Sequence, residues 1–139
     1  PSNYLLNYNL GLLYLKSEKY KSSILSFKSA LKQNPYSAIS LNGLGLALQK
    51  SEFLEMSISC FRKSILIKPD YFDAHNNLGV SYLRSTQLDL ARISFKYALK
   101  LKPDSYDTWS NLLDREILFS VDRTLPVDWL TDSIHDSTK

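Results

Sequence analysis

Few residues in this 139-residue chain are of types that do chemistry, and their spacing limits what they can do. The two histidines, His75 and His135, lie far apart, and neither has a second histidine or a cysteine at metal-ligand spacing. His75 falls in phase with Leu41 and Trp109 of a repeating pattern, so a packed side chain is expected there rather than a ligand. Cys60 is the one cysteine; it cannot close a disulfide within the chain and has no histidine or asparagine arrangement that would make it a nucleophile. Asp122, Asp128, Asp132 and Asp136 do not alternate as calcium-loop ligands do. There is no phosphate-cradling glycine loop: Gly11, Gly45 and Gly79 belong to a periodic pattern, and only Gly43 is left over. These residues predict no catalytic centre, cofactor or metal site, and no enzyme contained within the segment.

The bulk composition agrees with a folded globular domain and bounds class rather than function. Apolar residues make up 44% and charged residues 22%, a globular balance. No apolar run is long enough to span a bilayer. A lone cysteine suits a reducing, cytoplasmic compartment. The net charge of +3 is unevenly spread: residues 1–69 carry 9 Lys+Arg against 3 Asp+Glu, and residues 70–139 carry 8 against 11. Opposite-signed halves make head-to-tail self-association a possible mode. Nucleic-acid binding is not expected, because the lysines (Lys21, Lys28, Lys32, Lys63, Lys96, Lys100) sit at solvent-facing spacings with no aromatic interleaving.

The elements behind these residues emerge from a period of 34. Gly11, Gly45 and Gly79 keep that step, as do Phe27, Phe61 and Phe95, Pro35, Pro69 and Pro103, and Ser17, Ser51 and Ser85. Leu10, Leu44, Leu78 and Leu112 extend it to four copies. Within each unit, helical apolar spacing predicts a first helix, a polar break, and a second helix ended by proline. The expected helices include 4–16, 38–50, 54–67, 72–84 and 88–101. The serines at 17, 51 and 85 fall in the breaks, where a hydroxyl can satisfy loose backbone groups. Each mid-helix glycine costs about 1 kcal/mol relative to alanine, so a close partner is expected to offset it. Ser23, Ser57 and Ala91 are the small residues expected to face the glycines, with Phe27, Phe61 and Phe95 filling the space beside them.

This order of Leu-Gly, Tyr or Leu, a small residue, Phe, Ala and Pro over 34 residues resembles the tetratricopeptide repeat (TPR) family. "AHNNLGVSYL" followed by "ALKLKPD" carries the resemblance most clearly. It implies an all-α fold, a right-handed superhelical solenoid of antiparallel helix pairs, with three full repeats and a capping helix. The expected divisions are 4–37, 38–71 and 72–105 for the repeats and 106–120 for a capping helix or degenerate fourth repeat. Residues 121–139 are expected to be a tail or linker with a short helix near 126–135, carrying Trp129, Leu130 and Ile134. Pro1 stands one period before Pro35, so residues 1–3 are expected to close a preceding repeat of a longer protein.

The resemblance also implies a working surface: the concave face made by the first helices, which in the family takes a peptide or partner helix. In register, its lining here is Leu5, Tyr8, Asn9, Leu12 and Leu15, then Ile39, Asn42, Gly43, Leu46 and Gln49. Asp73, Asn76, Asn77, Val80 and Arg84 follow, then Asp107, Ser110, Asn111 and Asp114. Family members that hold the C-terminal carboxylate of Hsp70 or Hsp90 use a Lys, Asn, Asn, Lys, Arg clamp. The matching positions carry Tyr8, Leu12, Gly43, Asp73 and Asn77, so that tail is not the expected ligand. Asn9, Asn77 and Asn111 instead match the asparagine ladder of the TPR arm of O-linked N-acetylglucosamine transferase, broken at Gly43. The expected function is a non-enzymatic protein-interaction scaffold. Its alternatives are a substrate-recruiting or regulatory arm of a larger enzyme and a self-assembling module.

Overall fold

The computed structural model describes residues 4–114 together with 117 and 118. Among them are seven helices and no strand: α1 (Tyr4–Lys16), α2 (Tyr20–Gln33), α3 (Ala38–Lys50), α4 (Leu54–Ile67), α5 (Phe72–Arg84), α6 (Leu88–Leu101) and α7 (Tyr106–Leu112). The five spans read from periodicity alone are those observed. They group into two compact units that divide within α5, between Ala74 and His75.

The helix ends follow from the sequence. Asn34, Lys68 and Lys102 close α2, α4 and α6 with φ near −137°, −130° and −142° and ψ near 89°, 87° and 85°. That extended backbone is what the following Pro35, Pro69 and Pro103 impose on their predecessors. At the breaks inside each pair, Lys19 N–H reaches Tyr14 O at 2.8 Å and Glu18 N–H reaches Leu15 O at 3.1 Å. These two bonds form a Schellman turn, repeated at Phe53 and Glu52 and at Gln87 and Thr86. The turn needs a left-handed residue, and Glu18, Glu52 and Thr86 supply it at φ 58°, 67° and 63°. The adjacent serines act as expected: Ser17 Oγ donates to Leu13 O at 2.9 Å, Ser51 Oγ to Ala47 O at 3.0 Å and Ser85 Oγ to Tyr82 O at 3.1 Å.

In the first unit α1 packs on α2, α2 on α3, and α3 on α4. The core there is Phe27, Leu44, Ala47 and Leu48, with Tyr8, Leu15, Ile24, Leu31 and Cys60 against it. The glycines are explained differently from the sequence expectation. It is the phenylalanine ring that lies on each of them: a Cβ on Gly11 would meet the Phe27 ring at 2.7 Å, and one on Gly45 would meet Phe61 at 2.6 Å. Ser23 stands to the side and donates from Oγ to Gly11 O at 2.8 Å. Gly43, the glycine outside the ladder, has the tightest approach of all, with its Cβ position 2.4 Å from Phe27 Cε1. Phe27 thus needs a missing side chain in both α1 and α3.

The second unit repeats the device, with Gly79 against Phe95 at 2.5 Å. Phe95, Ala91, Ala98, Leu99, Leu112 and Ile117 are buried there. The seven-residue α7 turns at Leu113, with Asp114 N–H bonded to Asn111 O, and Leu118 N–H returns to Asp114 O. The helix expected near 126–135, with Trp129, Leu130 and Ile134, lies outside the described residues.

Candidate functional site

In the first unit, the face formed by α1 and α3 carries the residues expected to line a groove. Leu5, Asn9 and Leu12 are exposed, the leucines at 50% and 39%, while Tyr8 and Leu15 are half-buried. On α3, Ile39, Asn42 and Leu46 are half-buried. Gln49 departs from expectation: at 2% exposure it is part of the interior, so it is not available as a lining residue. Gly43 is buried as well, under Phe27. Tyr8 is braced by the core, its ring 5.9 Å from that of Phe27 and tilted by 54°.

A polar cluster occupies this face. Asn42 Nδ2 donates to the Tyr71 hydroxyl at 3.4 Å, tying α3 to the loop before α5. The Tyr71 phenol is pushed up to about 12, first by burial, then by the negative charge of Asp73 and by Tyr8, with the Asn42 bond acting in the opposite sense. The Tyr8 phenol is also raised, by burial and then by Asp73. Tyr8, Tyr71 and Asp73 therefore lie within electrostatic reach of one another, although they come from α1, a loop and α5. Lys68 Nζ sits 5.1 Å from the Tyr71 ring centroid, a cation over an aromatic face. Asp73 itself is exposed in the first turn of α5, where a negative charge also favours the helix dipole.

Tyr71 was not among the expected residues, but the period contains its signal. Ser37, Tyr71 and Ser105 are 34 apart, and both serines cap the next helix, accepting from Ser40 N–H at 3.2 Å and from Thr108 N–H at 3.4 Å. A phenol in a capping position has to serve another purpose. Its partner has a parallel reason. Asn76, one period after Asn42, accepts from Thr108 Oγ1 at 2.9 Å. The residue matching Thr108 beside Asn42 is Ala74, which has no hydroxyl, and the Tyr71 phenol takes that place. Asn42 and Asn76 thus hold elements together within their own units.

In the second unit, Asn77, Val80, Asn111 and Asp114 are half-buried, and Arg84, Asp107 and Ser110 are exposed. His75 is buried and stacks on Tyr97, with ring centroids 4.3 Å apart, which makes it the packed side chain expected. Cys60 is half-buried, and burial raises its thiol against the lowering effect of Lys63 and Lys28, so it rests protonated at neutral pH. Among the described residues no three His, Cys, Asp or Glu are grouped to hold a metal, and no helix is long and apolar enough to cross a membrane. His135 and the tail aspartates lie outside the described residues. Away from the α1–α3 face, a recess of about 360 Å³ is lined by Leu31, Pro35, Tyr36, Leu41, Lys63, Leu66 and Ile67.

Two tetratricopeptide repeat family models match the chain, one over residues 8–55 and the other over residues 72–105. The chain belongs to the tetratricopeptide repeat family. Solved TPR structures are similar. The first TPR of Spaghetti (RPAP3), bound to the HSP90 peptide SRMEEVD, superposes with a TM-score of 0.81 at 19% identity, covering 86% of this chain and 94% of that one. The Arabidopsis OM64 TPR domain gives 0.77 at 16% identity, covering 78% and 90%. The second TPR domain of human RPAP3, in complex with the HSP70 peptide SGPTIEEVD, gives 0.73 at 20% identity, covering 76% and 88%. At these identities the likeness establishes the fold, an all-α TPR solenoid. No curated protein sequence matches the chain at a significant level.

Proposed function

We propose that this TPR chain is a protein-interaction scaffold whose first-helix face holds a peptide or a partner helix. The observation that carries the reading is the composition of the α1–α3 face. Leu5 and Leu12 are large and exposed on α1, one helical turn to either side of Tyr8, while Ile39 and Leu46 flank Asn42 in the same way on α3. Exposed apolar side chains such as Leu5 and Leu12, beside the half-buried Ile39 and Leu46, are of the kind that mark partner sites. Asn9 adds an exposed amide, able both to donate and to accept toward a peptide backbone.

Two of the similar structures hold chaperone peptides ending in Glu-Glu-Val-Asp. We read this chain as suited to a different segment. The positions that would clamp a terminal carboxylate carry Tyr8, Leu12, Gly43, Asp73 and Asn77, with no lysine or arginine among them. A side chain cannot be restored at Gly43 without displacing Phe27. The test is selection from a random twelve-residue peptide library on the 139-residue chain, followed by mapping of amide shifts. Enriched peptides are expected to shift α1 and α3 and to lose binding to the Leu12→Asp/Leu46→Asp variant at unchanged helicity. Peptides that map to the recess near Leu66, or bind the variant equally well, overturn the reading.

A further inference from the structure

We propose that the Tyr8–Asn42–Tyr71–Asp73 cluster is a receptor for one basic side chain, a lysine or arginine carried by the bound peptide. The proposal rests on the reading of the α1–α3 face given above and names the chemistry of its ligand.

The charge of the face comes first. The only basic residue of α1 is Lys16, and of α3 Lys50, each in the last turn of its helix. Neither helix has an acidic residue in its first turn. The carboxylate brought to this surface by α5 is that of Asp73, which is exposed. Lys68 is near but sits over the Tyr71 ring. Asp73 thus sets a carboxylate beside a face whose own helices carry no basic residue before their last turns.

The second argument is the company Asp73 keeps. The charge of Asp73 acts on the phenols of Tyr8 and Tyr71, which come from different elements, and a phenol oxygen accepts hydrogen bonds from an ammonium or guanidinium. Their rings offer negative π faces, and Lys68 already occupies one at 5.1 Å. The aromatic walls are fixed in advance: Tyr71 is tied to Asn42, and Tyr8 is braced on Phe27. Preset walls of this kind lose little order on binding. The exposed Leu5 and Leu12 then border the apolar stem of a lysine or arginine, which packs on such surface while its charge reaches the polar group. An acidic side chain would instead meet the like charge of Asp73, with Lys68 engaged on the Tyr71 ring.

The probes are capped peptides, acetyl-Ser-Leu-Ser-X-Ser-Leu-Ser-amide, with X as lysine, arginine, norleucine or glutamate. An extended chain puts X and both leucines on one side, matching one charged and two apolar contacts. Affinities are measured by titration against the 139-residue chain, with amide shifts mapping the site. Exposed ion pairs and cation–π contacts are individually modest, so lysine and arginine are expected to bind roughly five- to tenfold tighter than norleucine. Asp73→Asn, an isosteric change at an exposed site, should remove most of that preference. Tyr71→Phe should reduce it less, since the ring remains. Peptides that bind the α1–α3 face with no preference for a basic X, or with a preference surviving Asp73→Asn, overturn this proposal and leave the face as a peptide site. If no member of the series shifts α1 or α3, both the receptor and the face are wrong.

Discussion

Replacing Gly43 by alanine should destabilise the protein, against the ordinary effect of that substitution within a helix. In an open helix interior the exchange gains about 1 kcal/mol, because alanine restricts the unfolded chain and favours helical backbone. Here the new Cβ would fall 2.4 Å from Phe27 Cε1 and 2.5 Å from Cζ. The ring has no room to withdraw: Phe27 is fully buried, and the same ring edge lies 2.7 Å from the Cβ position of Gly11. Overpacking of this kind costs about 1–3 kcal/mol, and a clash with a ring held between two helices belongs at or above the top of that range. The net expectation is a loss of about 2 kcal/mol, or roughly 4–8 °C in melting temperature for a chain of this size. Denaturant unfolding followed by circular dichroism measures it. The decisive form is a double-mutant cycle with Phe27→Leu, which removes the ring edge at its own cost. In that background Gly43→Ala should turn neutral or favourable. If Gly43→Ala stabilises the parent protein, the packing argument is refuted.

Two further predictions concern a turn and a titration. Thr86→Gly should stabilise the protein by about 0.5–1 kcal/mol, seen as a higher denaturant midpoint, because a β-branched residue at φ 63° sits in a left-handed region that glycine enters freely. Spectroscopic titration of the tyrosines should show one phenol ionising near 12, absent in Tyr71→Phe. Since the folded-state value lies above the ordinary 10, the stabilisation linked to neutral Tyr71 is complete below pH 10 and is lost as pH rises from 10 through about 12. Tyr71→Phe should therefore show the shallower loss of stability over that interval.

Helix placement was legible because it rests on short-range rules that repeat. A proline fixes the residue before it, a hydroxyl serves the break, and apolar spacing marks each face, so residues 38–50 and 72–84 could be read directly. The details of contact were less accessible. The glycine ladder announced a close approach, but one-dimensional spacing does not say whether Ser23 or Phe27 makes it. Gly43 stood outside the ladder, and its partner lies in the preceding repeat, a relation that periodicity within one unit does not encode. The α1–α3 face was assigned residue by residue from register, which gave Leu5, Tyr8, Leu12 and Asn42 but included the buried Gln49. Tyr71 was missed because positions 37, 71 and 105 carry no ladder of like residues for the period to mark. The signal was the break itself, a phenol where Ser37 and Ser105 have a small hydroxyl.

The placement of Phe27 also bears on how the first two helix pairs depend on each other. A repeat protein can be treated as a row of units, each with its own stability and a coupling to its neighbour. The ring contributed by α2 fills the space above glycines in both α1 and α3, so one side chain enters the intrinsic term of the first pair and the coupling term to the second. Intermediates with one pair folded and the other open are accordingly disfavoured, since the ring would lose one wall while keeping the other. The first two pairs should then unfold as a single cooperative block, with their amides sharing one exchange free energy rather than fraying in sequence from the end.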